Sequence, residues 1–133
     1  MDASITDNSW MLSEIENTRG VMHAVVLSSD GLVRVQTPSL SKDMADYVAA
    51  QCTGLVSLGI SVSNQFGTQP GINRVVVDFS GGVLFVQEAG EGSRLAVVAE
   101  DWADPGLIAQ QMQAQVNMIG EHTLGTPARH GDE

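Results

Sequence analysis

The chain has 133 residues, 43% hydrophobic and 17% charged, a length that fits one domain with a real core and leaves little for a second. Its 16 acidic and 6 basic residues give a net charge of -10, which repels phosphate backbones and anionic lipid and argues against nucleic acid or bare membrane as a partner. The single cysteine, Cys52, excludes an internal disulfide and fits a reducing compartment.

Residues 1–7 contain no Lys or Arg and no long apolar run, and a signal peptide needs both. No stretch reaches the ~18 apolar residues of a membrane span. The expectation is a cytoplasmic protein without direct membrane insertion, organised as a flexible N-terminus (1–7), one domain (8–122) and a flexible C-terminal tail (123–133). Asn8 to Thr18 reads as a short helix with Met11, Leu12 and Ile15 on its apolar face and Gly20 as a stop. Val21 to Ser28 and Leu32 to Gln36 read as strands joined at Ser29-Asp30-Gly31, where Gly tolerates the positive φ of a tight hairpin.

Ser41 to Phe66 is the longest helix, with Ser41 as N-cap and Asp43 suited to the positive helix start. Val48, Cys52, Leu55, Gly59, Val62 and Phe66 share one face, widened by Ala45, Ala49, Val56 and Ile60, while Leu58 lies well off the other flank. That arc is wider than one sheet contact requires. From Tyr47 to Asn73 there is no Asp, Glu, Lys or Arg. The helix offers Ala50, Gly54, Ser57 and Ser61 where an exposed face normally carries charge. Small uncharged residues let another helix approach closely and cost little to desolvate, so this face is expected to meet a partner. The low charged fraction of the whole chain points the same way.

After a loop at Gly67 to Gly71, Ile72 to Phe79, Val83 to Glu88 and Ser93 to Ala99 read as strands separated by glycine turns. Their nearly continuous apolar runs imply a sheet covered on both faces. Asp104 caps a last helix with Pro105 at its first position and Ile108, Met112, Val116 and Ile119 as its stripe. The order is α-β-β-α-β-β-β-α, an α+β chain. Its short connections imply antiparallel strands, with the central helix on one face and the terminal helices on the other.

No motif carries catalysis or a cofactor. Gly90-Glu91-Gly92-Ser93 lacks the Gly-Lys-Ser/Thr of a phosphate loop and reads as a turn. His23, His122 and His130 are widely separated, and a metal site needs three or four converging ligands. Cys52 falls on an apolar stripe without an activating base. Asp78 and Glu88 read as solvated strand-end carboxylates, and Arg74 and Arg94 as a polar rim. Trp102, ahead of the last helix, is a candidate partner contact. A second reading is a small-molecule sensor whose six methionines line an adaptable site.

This order resembles the Roadblock/LC7 family, in particular its bacterial MglB-like members and the actinobacterial conservon-type members encoded beside a Ras-like GTPase. The strings that carry the resemblance are Ser9-Trp10-Met11-Leu12, Arg19-Gly20-Val21-Met22-His23-Ala24-Val25-Val26-Leu27-Ser28, Asp30-Gly31-Leu32, Gly54-Leu55-Val56-Ser57-Leu58 and Val83-Leu84-Phe85-Val86, spread from Ser9 to His122. It implies a five-stranded antiparallel sheet, with one long helix on one face and two shorter helices on the other. It also implies a homodimer joined edge to edge through the third strand, with the long helices packed together. Carried onto this chain, Ile72, Val75 and Val77 fall on the pairing edge, and Gly54, Leu55, Leu58 and Val62 on the helix contact. The partner implied is a small Ras-like GTPase, which family members activate or only scaffold.

Overall fold

The computed structural model describes the backbone of residues 8–90 and 92–132, with side chains to Glu121. Five strands, β1 (Val21–Ser28), β2 (Val33–Gln36), β3 (Val75–Phe79), β4 (Gly82–Glu88) and β5 (Ser93–Glu100), form one sheet in the order β2-β1-β5-β4-β3. Every neighbouring pair is antiparallel. Two helices flank it, α1 (Lys42–Phe66) and α2 (Pro105–Asp132).

The near-continuous apolar runs of the central strands are explained by two cores, one on each side. Ala24, Val26, Phe85, Leu95, Val97 and Ala99 pack with Met11, Leu12, Ile15 and with Ile108, Met112 and Ile119 of α2. Val25, Leu27, Val86 and Ala96, the alternate positions, pack with Ala45, Ala49, Cys52 and Val56 of α1. Period-two alternation sends successive side chains to opposite faces, so a strand buried on both sides shows no polar alternation.

The helix expected over Asn8 to Thr18 is a single 3-10 turn, Ser9–Leu12, followed by further turns. The bonds here are mostly of the i to i+3 kind: Met11 N–H to Asn8 O at 2.9 Å, Ile15 N–H to Leu12 O at 3.1 Å, Thr18 N–H to Ile15 O at 3.0 Å. A side chain distant in sequence replaces the helical ladder. Gln115 of α2, fully buried, accepts from Glu14 N–H at 2.7 Å and donates to Trp10 O at 3.2 Å. The apolar face forms as expected, with Met11, Leu12 and Ile15 all buried.

Other boundaries shift. β3 starts at Val75, leaving Ile72 in the preceding loop. α2 extends to Asp132 and takes in residues assigned from sequence to the tail after 122, while residues 1–7 lie outside the described chain. Both helix starts match their sequence signals. Ser41 Oγ accepts from Met44 N–H at 3.1 Å, and Asp104 Oδ1 accepts from Gly106 N–H at 2.9 Å. Gly20 has φ +94°, and a Cβ there would lie 2.4 Å from Ala103 Cβ, so the close approach of β1 to the segment before α2 requires glycine. Among the described residues no helix is long and apolar enough to cross a membrane.

Candidate interaction surface

The centre line of the buried side of α1 runs through Ala45, Ala49, Cys52 and Val56. At about 100° per residue, Gly59 is rotated to one side of that line, with Leu55, Val62 and Leu58 further round in the same direction. Gly59 marks where the helix meets β3, since a Cβ there would lie 3.3 Å from Ile72 and 3.6 Å from Val75. The apolar arc therefore splits in two. One part packs on the sheet. The other, on the β3 side, faces outward: Leu58 is 67% exposed, Val62 59% and Phe66 85%. Val62 and Phe66, assigned from sequence to the same stripe as Cys52, belong to this outer flank. Met44 and Tyr47, which the sequence reading did not single out, are exposed on it too. Leu55 is half-buried, and Gly54 is exposed with open space where a Cβ would stand.

β3 is an edge strand, bonded only to β4. Val75 and Ile72 border the core under α1. Val76, 54% exposed, looks to the other face. Val77 is half-buried. The sequence-selected residues Leu55, Val62, Ile72, Val75 and Val77 thus lie toward the α1–β3 border, and Leu58 and Gly54 stand on the helix's outer side. An edge this apolar is an aggregation hazard unless it is paired.

On the opposite face α2 stops short of β3, leaving a cavity of about 310 Å³. Val76, Val83, Phe85 and Ile108 form its apolar floor, and Asp78, Glu100 and Asp101 its acidic wall. No methionine lines it. Met11 and Met112 are core residues, Met22 and Met44 are exposed and Met118 lies beside Ser13, so the methionines among the described residues do not gather at this cavity. Trp102 is 58% exposed, with the Arg19 guanidinium 5.3 Å from its ring centroid.

The remaining polar candidates are dispersed. Asp78 pairs in register with Val83, whereas Glu88 at the far end of β4 holds Arg94 at 3.1 Å, so the two carboxylates are not neighbours. His23 Nδ1 lies 2.8 Å from Ser39 Oγ. Burial pushes the Cys52 thiol up to about 11, which keeps it protonated near neutral pH. Gly90 and Gly92 both adopt positive φ in the β4–β5 turn. Glu91 lies outside the described residues, as do the side chains of His122 and His130.

The model of the Roadblock/LC7 domain matches residues 8–99. The chain belongs to the Roadblock/LC7 family. A Roadblock/LC7 domain from Streptomyces avermitilis is 36% identical, with 83% of this chain and 91% of that one covered and a TM-score of 0.77. MglB of Myxococcus xanthus is 10% identical over 92% of this chain and 91% of its own, with a TM-score of 0.77. An MglB solved in a tetrameric arrangement is 17% identical over 91% of each chain, with a TM-score of 0.73. At those identities the two MglB structures show a shared fold alone. No curated protein matches the chain. The five-stranded antiparallel sheet flanked by helices is the architecture expected of that family, but α2, at 28 residues, is longer than α1, at 25, and the first of the two shorter helices expected is a 3-10 turn.

Proposed function

We propose that this Roadblock/LC7 domain is a non-catalytic homodimeric regulator or scaffold that binds a small Ras-like GTPase in the cytoplasm. The observation that carries the reading is the exposed apolar flank of α1, with Leu58, Val62 and Phe66, in a helix that packs beside the free edge strand β3. A charge-free helix flank beside an unpaired strand edge suits a second copy of the same chain, because pairing satisfies the edge and covers the flank together. The tetrameric arrangement of one MglB supports self-association in this fold. The GTPase follows from what the family resemblance implies. The acidic balance of the chain favours a basic partner surface over nucleic acid or lipid.

The test is affinity capture from the source organism's lysate with a GTP analogue or GDP present, alongside sedimentation of the pure protein. The expected result is a dimer that recovers a small GTPase with a clear preference between the two nucleotides. Hydrolysis rates of that GTPase, with and without the domain, then separate activation from scaffolding. A folded dimer that recovers no GTPase in either nucleotide state overturns the proposed partner.

A further inference from the structure

We propose that a second copy of this chain pairs with β3 in one register, with Val76 on the two-fold axis and Arg74 of each copy facing Asp78 of the other. The inference rests on the dimer reading above and specifies it.

Two copies of one strand joined antiparallel about a two-fold axis face each other so that partner residue numbers sum to a constant. Partners share a face of the sheet and side chains alternate, so that constant is even and the axis falls on a single residue. The question is which residue. Arg74 stands opposite Gln87, to which it donates from Nε at 3.2 Å and Nη2 at 3.1 Å. Gln87 in turn donates to Gln113 of α2 at 2.9 Å, which places Arg74 on the α2 side of the sheet. Val76 and Asp78 line the cavity against Ile108 of α2 and share that side. Val75 packs toward α1.

With the axis on Val76, Arg74 meets the partner subunit's Asp78 twice over on the α2 side, and Val75 meets the partner subunit's Val77 twice over on the α1 side. An axis on Asp78 sets two carboxylates against each other, and one on Arg74 sets two guanidinium groups together. An axis on Val75 or Val77 leaves a charge opposite the apolar Val76. Opposite charges across a strand pair attract and like charges repel, so the order Arg-Val-Val-Val-Asp selects the Val76 axis. Both charged groups have capacity left: Arg74 Nη1 and the exposed Asp78 carboxylate make no bond among the described residues.

The test uses the full chain as Arg74→Glu, as Asp78→Arg, as the double exchange, and as an equal mixture of the two single variants, each followed by sedimentation equilibrium. Each single exchange turns two attractive pairs repulsive and raises the dimer dissociation constant about tenfold or more. The double exchange restores the wild-type constant. The mixture forms a mixed dimer of wild-type strength, because every charge again faces its opposite. A chain that is merely misfolded is not rescued by mixing, so this arm holds even where Arg74→Glu disturbs the Gln87 contact. If the wild type is a dimer and the single exchanges leave it unchanged, or mixing gives no recovery, the register is wrong and the dimer stands. A wild type that is monomeric throughout removes both.

Discussion

Leu58→Asp separates the interface from the fold, because most of the side chain lies on the surface. Leu58 is 67% exposed in the single chain, so about two-thirds of its burial energy is still available. Burying a leucine fully is worth roughly 1.5–3 kcal/mol, which leaves ~1–2 kcal/mol per copy. A two-fold dimer contains the contact twice, so the loss is ~2–4 kcal/mol, or roughly a 30- to 1,000-fold rise in the dissociation constant. Placing an unpaired carboxylate in the contact adds to this. The monomer should hardly notice. On an exposed helix position the exchange of Leu for Asp costs below about 1 kcal/mol in helix propensity. Sedimentation equilibrium reads the first quantity, and unfolding of the monomer at low concentration, followed by circular dichroism, reads the second. A dissociation constant that stays within a few-fold of wild type would refute the placement of the helix contact. An equal loss of monomer stability would refute the assignment of Leu58 to the outer flank.

Gln115→Ala should cost roughly 2–5 kcal/mol in a denaturant melt, because it takes the acceptor from the Glu14 N–H, removes one of the donors to the Trp10 carbonyl and empties a buried site. Ile108→Ala, a truncation in the α2 core, should cost about 2–5 kcal/mol by the same measurement. Gly20→Ala should destabilise by ~1–3 kcal/mol, since it combines a positive φ with a clash against Ala103. The Cys52 thiol, raised from an ordinary 9.0 to about 11, keeps its proton longer when folded than when unfolded. Its contribution to stability is therefore whole below pH 9 and is lost as pH rises from 9.0 toward about 11. Cys52→Ala should flatten the fall in unfolding free energy over that window, and an unchanged slope would place its origin elsewhere.

The sequence by itself determined the order of the strands and of the two α-helices along the chain, their caps and turns, and the two-sided burial of the central strands, but not of β3, in which no residue is buried. These rest on local chemistry: Ser41 and Asp104 capping helices, glycines at positive φ, apolar runs too continuous for a one-sided strand. The charge-free stretch from Tyr47 to Asn73 also marked the helix that carries the candidate surface. What it left open was which part of a wide apolar arc meets the sheet. Cys52 and Val62 lie on one continuous stripe by spacing, yet the first is buried and the second exposed. Only the position of β3 against Gly59 decides between them. The same holds at the N-terminal segment, whose apolar spacing suits a helix but whose backbone groups are claimed by Gln115, about a hundred residues further along the chain. Arg74 and Asp78 likewise look like unrelated surface charges until the strand register puts them on one face of a free edge. Local pattern fixes what each segment prefers. The contacts between distant segments, which depend on three-dimensional packing, choose among the faces and partners that pattern leaves equivalent.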